Sequence, residues 1–404
     1  MPSYQEARKI ILEHVAALPA EVVPLHDAVG RVLAADVTMP WDMPRWDNSA
    51  MDGFAVRSAD CTGPARLRVT GYIPAGGLPA GPVGPGQAIR IMTGAPLPRG
   101  ADAIAPVEDV EEAGDAIQLR GAVRPGAHVR RQGEDLRAGE LALPAGTVVG
   151  PGEVSVLASA GQVSVPVVRR ARVAILSTGD ELVEPGQPLG PGQVCDSNGV
   201  ALAAAVLLAG GTPIPLGIAR DDRPALRALL ERGLGADALV TSAGVSAGDR
   251  DLVREVLDEL SVRQVFWKVD IKPGRPTAFG LRGPTPVFSL PGNPVSSLLT
   301  FEQFVRPALL RMMGHRQVYR PVQRALLLEP LAKSPGRVNL VRVRLSRRDD
   351  GALLASTAGN QETGILKTLL RADGIAIIPA EQGNLAAGQA VAVQLLRPDL
   401  VEEA

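Results

Sequence analysis

Carboxylates, cationic side chains and small-residue turns recur together along this chain, in short stretches whose chemistry suits a polyanionic ligand and a divalent cation. The first is Asp47-Asn48-Ser49-Ala50-Met51-Asp52-Gly53-Phe54. It reads either as an Asx turn in which Gly53 relieves backbone crowding, or as a loop that turns Asp52 into a cleft as a ligand or acid–base group. In Arg90-Ile91-Met92-Thr93-Gly94-Ala95-Pro96 the Thr93 hydroxyl and the turn amides could meet an anion, or the segment is simply the exit of a strand. Arg130-Arg131-Gln132-Gly133-Glu134-Asp135 is either a solvated charged turn or a phosphate grip. In the second reading Arg131 supplies a planar donor fork and the carboxylates, Asp135 among them, hold a cation nearby.

Ser177-Thr178-Gly179-Asp180-Glu181-Leu182 follows an apolar run, and strand ends are where α/β sheets expose functional groups, so Glu181 is a candidate. Asp196-Ser197-Asn198 can cap the next helix while Asp196 and Asn198 also touch ligand. In Thr241 to Asp251, Gly244, Ser246 and Gly248 let the backbone approach a ligand and offer amides to phosphate oxygens, and Asp249 or Asp251 serves as a helix cap or a ligand. The spacing is neither that of a Walker loop nor GxGxxG. The lysines are Lys9, Lys268, Lys272, Lys333 and Lys367, and Lys268 and Lys272 stand four apart, which in an extended strand puts both on one face. Arg275 adds a second donor fork suited to an oxyanion. In Leu290-Pro291-Gly292-Asn293-Pro294-Val295-Ser296 the amides of a helix start can receive an anion, although a plain N-cap explains Asn293 equally well. No single stretch identifies a reaction. Together they imply polyphosphate or oxyanion chemistry, with carboxylates for Mg2+ alternating with cationic and glycine-rich elements for the anion.

Other chemistries lack their parts. His14, His26, His128 and His315 are scattered, which disfavours zinc catalysis and a Ser/His/Asp hydrolase. Cys61 and Cys195 are far apart, without the spacing of a zinc knuckle or redox pair. The formal charge of -1 provides no global field for nucleic acid or an anionic membrane. The start MPSYQEARKI carries charge where a signal peptide needs an apolar core, and no apolar run reaches the roughly 20 residues of a membrane span. A soluble, cytoplasmic protein is therefore expected.

The elements that must position these groups fall into regions of different rhythm. At 404 residues the chain exceeds the roughly 250 to 300 at which one core stops growing, so more than one domain is expected. Ser3 and Glu6 have the spacing of a capping box, and Ala7, Ile10, Ile11 and Val15 predict an amphipathic helix over 4–17. From Val22 to Gly150, short apolar runs broken by Gly and Pro predict β-rich structure. Next come apolar runs at Arg172 to Ser177, Ile214 to Ile218, Ala238 to Thr241 and Thr285 to Leu290, which predict strands. Helical stretches at Gly199 to Leu208, Pro224 to Arg232 and Leu252 to Leu260 separate the first ones, and a long apolar helix runs from Asn293 to about Met313. This is the pattern of a mostly parallel sheet covered on both faces. After Gly314, alternation at Val341, Val343 and Leu345 predicts a half-buried β domain.

The sequence as a whole resembles the MoeA family of molybdopterin molybdenumtransferases, also called the gephyrin E-domain family. The motifs that carry the resemblance occur in order: DNSAMDGFAVR, RIMTGAP, RRQGEDL, STGDEL, SAGVSAG, WKVDIKPGRP and LPGNPVS. The resemblance implies a central three-layer α/β molybdopterin-binding domain with β-rich N-terminal domains and a C-terminal β-barrel-like domain. The expected division is a helix at 1–20 packing on the α/β domain, a linker or β domain from 21–45 and 141–168, a β-rich lobe at 46–140 contributing to a dimer cleft, the α/β domain at 169–317 and the C-terminal β domain at 318–404. It also implies a homodimer that takes adenylylated molybdopterin and molybdate as substrates, uses Mg2+, and releases molybdenum cofactor and AMP. Molybdopterin adenylyltransferase and molybdoenzyme-delivery proteins would be its partners, with neither nucleic acid nor membrane involved.

By the same resemblance, Asp52, Thr93, Asp135, Glu181, Asp221 and Asp251 correspond to positions handling metal or substrate. Lys268, Lys272, Pro291, Pro294 and Ser296 correspond to the oxyanion and pterin side of the cleft. Two departures stand out: Phe54 where tyrosine is common, and Ala243 in place of the first glycine of the usual SGGVS run, a methyl that matters if the backbone there approaches ligand closely. The alternatives are a non-catalytic scaffold of the same fold and a paralogue that handles tungstate.

Overall fold

Val173, Ala174, Ile175 and Leu176 are all buried in the strand Arg172–Thr178, as a strand covered on both faces requires. In the computed structural model of the chain, which describes residues 1–244 and 252–397, this strand lies between two parallel neighbours, Thr212–Ala219 and Ala238–Ser242. Thr285–Leu290 continues the parallel sheet, and Ala278–Arg282 and Arg263–Phe266 extend it antiparallel. The alternation of side chains divides two cores. Val173, Ile175 and Val240 pack on one face with Leu202 and Val206 of the helix Ser197–Leu208, whereas Ala174, Leu176 and Leu239 pack on the other with Leu226, Leu230, Val256 and Leu257. Each leucine so buried contributes about 1.5–3 kcal/mol, which holds the three layers together.

The N-terminal helix Tyr4–Glu13 joins the first of these cores through Tyr4, Ala7 and Ile11. Its capping box forms as the spacing predicts, with the Ser3 amide donating to Glu6 Oε2 at 2.8 Å and the Glu6 amide to Ser3 Oγ at 3.3 Å. It ends four residues before the expected position 17. His14 closes the last turn by donating its amide to the Ile11 carbonyl, with its ring Nδ1 2.7 Å from the Ile10 carbonyl, and Val15 reaches the core from outside the helix. The long helix after Asn293 is also interrupted: Pro294–Thr300 and Arg306–Met312 are α-helical, and Phe301–Val305 between them is a π-helix. Pro307 has no N–H to offer the carbonyl four residues earlier, so the α ladder is broken there.

The C-terminal alternation closes into a barrel. Val338–Arg347 pairs with Leu353–Thr357 and Gly374–Ile378, and Ala390–Leu395 and Val322–Leu327 complete the ring. A two-residue strand from the preceding domain, Ile271–Lys272, adds in parallel to the start of Val338–Arg347, with Ile271 opposite Val338 and Lys272 opposite Asn339. That pairing decides where Lys272 stands.

These parts form one compact unit, residues 1–23, 27–34 and 166–404, and residues 24–26 and 35–165 form another. The second contains a six-stranded sheet in which Gly53–Val56 lies between Ala103–Pro106 and Gln87–Ile91. Gly53 is required there, because a Cβ would stand 2.2 Å from the Ala105 carbonyl oxygen. Among the described residues no helix is long and apolar enough to cross a membrane.

Candidate functional site

Two cavities open beyond the strand ends of the α/β sheet, where such sheets bind ligands. The larger, about 680 Å³, has Lys272, Arg275, Pro291, Asn293 and Ser296 on its α/β side and Arg337, Asn339 and residues 360–364 on its barrel side. Its cationic groups are Lys272, Arg275 and Arg337, against the single carboxylate of Glu362. The smaller, about 410 Å³, is lined by Thr178, Glu181, Asn198, Ser242, Ala243, Gly244 and Gly292, and shares Pro276, Pro291 and Asn293 with the larger.

Local geometry explains most of these placements. The Asn198 amide donates from Nδ2 to Ser242 Oγ at 2.8 Å and to the Gly292 carbonyl at 2.7 Å, tying two strand ends together at the wall of the smaller cavity. Gly244 adopts φ +74°, and a Cβ there would lie 2.3 Å from Val253 Cγ2. Ala243 also stands in the left-handed region, at φ +72°. The methyl at this position therefore matters first through the backbone conformation it must adopt.

Other expected residues do different work. Lys268 is exposed but lines neither cavity, and the chain between it and Lys272 is bent, with the Ile271 amide donating to the Val269 carbonyl at 2.9 Å. Lys268 and Lys272 would share a face only along a continuous strand, and here only Ile271–Lys272 is extended in one. Asp196 is buried and accepts from the Gly199 amide at 2.9 Å, so the capping half of its expectation holds, but it lines neither cavity. Pro294 occupies the first helical turn and is likewise outside the lining. Asn293 precedes that helix without a side-chain cap bond, and the Val295 amide donates to the Thr363 carbonyl at 3.4 Å. Asp221 is exposed just past the strand Thr212–Ala219, where its amide donates to Asp180 Oδ1 at 3.0 Å. Ser246, Gly248 and Asp251 lie outside the described residues.

In the other unit, Thr93 serves Asp52. Its hydroxyl at 2.7 Å and its amide at 2.8 Å both donate to Asp52 Oδ1, and these bonds, the hydroxyl's first, hold the carboxyl below its ordinary range. The Thr93 hydroxyl is thus committed within the chain, contrary to the reading that offers it to an external anion. Arg131 is paired, Nη1 to Asp47 Oδ2 at 2.7 Å, and the Gln132 amide donates to the other Asp47 oxygen at 2.8 Å. Asp135 is exposed. Phe54, which stands where tyrosine is common, is 1% exposed in the core of the sheet.

Arg337, Asn339 and Thr363 escape sequence reasoning. They belong to the barrel, and only the pairing of Ile271–Lys272 with Val338–Asn339 brings them beside the expected cation set. A basic residue opening an alternating run was the one available signal.

The fold and cavities define a multidomain α/β protein with a closed C-terminal barrel and a cation-lined cavity between that barrel and the strand ends. Residues 2–161 match the MoeA N-terminal region (domain I and II), residues 174–311 a probable molybdopterin binding domain, and residues 324–396 the MoeA C-terminal region (domain IV). The chain is 40% identical over 399 residues to molybdopterin molybdenumtransferase 2 of Mycobacterium tuberculosis, covering 96% of this chain and 98% of the relative. It is 36% identical over 407 residues to the molybdopterin molybdenumtransferase of a Nostoc species, covering 97% and 93%. The crystal structure of the molybdopterin biosynthesis MoeA protein from Pyrococcus horikoshii superposes with a TM-score of 0.82 at 31% identity, covering 98% of this chain and 100% of that one. The chain belongs to the MoeA family.

Proposed function

We propose that this chain inserts molybdenum from molybdate into adenylylated molybdopterin with release of AMP, working with Mg2+ as a cytoplasmic homodimer. The observation that carries the reading is the cavity lined by Lys272, Arg275 and Arg337 with a single carboxylate, Glu362, in its lining. Two or three fixed cations suit a tetrahedral dianion, and guanidinium forks match its paired oxygens. The adjoining cavity, reached past Pro276, Pro291 and Asn293, is lined by the half-buried Gly244 and the exposed Gly292, whose backbone a bulky anionic ligand can approach closely.

Among the described residues no three His, Cys, Asp or Glu side chains stand together, and Mg2+ is commonly held by one or two carboxylates, completed by phosphate oxygens and water. Glu181, in the smaller cavity, and Asp221, on the neighbouring strand end, would supply that side, with Asp52, Asp135 and Asp251 the further candidates. When bound, the cation would neutralise the phosphate oxygens of the adenylyl link. Lys272 and Arg275 would orient molybdate and offset its charge while the two pterin dithiolene sulfurs bond to molybdenum in place of one oxygen, which leaves with the two thiol protons as water, and Asn198 would keep the strand-end backbone in register with the pterin.

The test is reconstitution of the purified protein with adenylylated molybdopterin, Mg2+ and molybdate, reading AMP release and activation of a cofactor-free molybdoenzyme. Lys272→Ala should lower molybdate-dependent AMP release by about 10²–10³, the size seen when one oxyanion donor is removed, with pterin binding retained. Parental turnover by this variant would remove the cation cavity from the reaction.

A further inference from the structure

Among the described residues, the barrel buries two cations with no carboxylate partner, and one of them, Arg342, holds a wall of the larger cavity. Lys333, 6% exposed, donates from Nζ to the carbonyls of Gln382 at 2.7 Å and Ala380 at 3.2 Å. Arg342 is 0% exposed and donates from Nη2 to the carbonyls of Glu362 at 3.3 Å and Asn360 at 3.4 Å, while its Nε and Nη1 have no hydrogen-bond partner among the described residues. Residues 360–364, which these bonds hold, form the cavity wall facing Lys272 and Arg275. The same segment is clamped through Gln361, whose Oε1 accepts from the Arg342 amide at 2.9 Å and whose Nε2 donates to the Arg342 carbonyl at 3.1 Å.

A guanidinium buried without a counter-charge is an unfavourable way to fill a core, and burial alone pushes Arg342 down to about 10. An apolar side chain of similar volume commonly replaces such a group with no loss of stability. Packing therefore gives no reason for arginine here, whereas the cavity gives two. The guanidinium orders main-chain carbonyls that would otherwise be free to turn toward the ligand, and it adds positive charge behind a wall that faces an anion, in an interior that screens charge weakly.

We propose that Arg342 is a positioning residue for the oxyanion cavity, drawing the Asn360 and Glu362 carbonyls away from the ligand and reinforcing the field of Lys272, Arg275 and Arg337. The proposal rests on the oxyanion reading of that cavity and extends it to a residue that does not touch the ligand.

Arg342→Met, Arg342→Gln and Arg342→Lys test it through two independent measurements on the full chain. Amide hydrogen exchange of residues 359–364, without any oxyanion, reads the wall directly. Calorimetric titration with sodium molybdate reads the cavity. Arg342→Met should unfold at or above the parental midpoint, yet exchange at least about tenfold faster in this segment and bind molybdate at least about tenfold more weakly, the size of one lost charge-assisted hydrogen bond. Arg342→Lys, which keeps the charge and can reach the carbonyls, should restore both. Parental exchange and affinity in Arg342→Met would overturn the proposal. So would failure of both the Met and Gln variants to fold, which would assign Arg342 to stability. A faster-exchanging wall in a protein whose parent binds no molybdate would sink the oxyanion reading and leave the positioning role standing.

Discussion

Ala243 and Gly244 are adjacent, both in the left-handed region, at φ +72° and +74°, and they should respond to substitution with opposite signs. At Gly244 an added methyl meets Val253 at 2.3 Å from Cγ2 and 2.9 Å from Cβ, and a β-branched side chain cannot rotate away from both. Gly244→Ala therefore incurs about 1–2 kcal/mol for left-handed backbone and about 1–3 kcal/mol for overpacking, offset by about 0.4–1 kcal/mol from a stiffer unfolded chain. The net loss is about 1–4.6 kcal/mol. At Ala243 the same backbone cost is already present, so Ala243→Gly removes about 1–2 kcal/mol of strain against about 0.4–1 kcal/mol of added unfolded-state entropy. It should leave stability unchanged or raise it by about 1 kcal/mol. Urea unfolding followed by circular dichroism measures both, read as midpoint shifts at constant slope. The reasoning fails if Gly244→Ala matches the parent, or if Ala243→Gly destabilises by more than about 1 kcal/mol. Because both residues line the smaller cavity, Gly244→Ala should also raise the KM for the pterin substrate.

Thr93→Ala deletes the hydroxyl bond that leads in lowering the Asp52 pKa but keeps the amide bond. Asp52 should then titrate higher by NMR, and an unmoved titration would refute the role of the hydroxyl. Asp237 is pushed up by burial but more than compensated by Arg169, which donates to both its oxygens at 2.5 Å, and by the Arg172 amide at 2.8 Å, so its pKa is lowered. A lowered folded pKa gives stability that is present above the unfolded value near 3.9 and lost as pH falls through the folded value. Asp237→Asn should accordingly cost about 1.5–3 kcal/mol at neutral pH, with the gap closing in acid below pH ~4. An equal gap at both ends of that range would exclude the ion pair as its source. Arg337→Ala should weaken molybdate binding without moving the unfolding midpoint, since the side chain is exposed at the cavity edge.

What could be read along the chain was what depends on near neighbours. Periodicity marked the parallel strands to within a few residues and gave the two-faced burial of Arg172–Thr178, and the Ser3 and Glu6 spacing announced a capping box that forms. The antiparallel edge was missed because Ala278, Phe279, Gly280 and Leu281 are all buried and show no alternation. The π-helix at Phe301–Val305 was missed because the apolar run continues through it.

Residue type and order alone supplied the candidates: the cationic set of Lys268, Lys272 and Arg275, a carboxylate at Glu181 after a strand, and motifs in the order of one family. Which of those groups meet was decided only in three dimensions. Lys268 and Lys272 part because the chain turns at Val269 to Ile271, whereas Arg337 and Thr363 join Lys272 because a two-residue strand pairs with the barrel. Side-chain type is a local property of the sequence, but proximity across some 65 or more residues is set by strand pairing and core packing, which no spacing along the chain encodes.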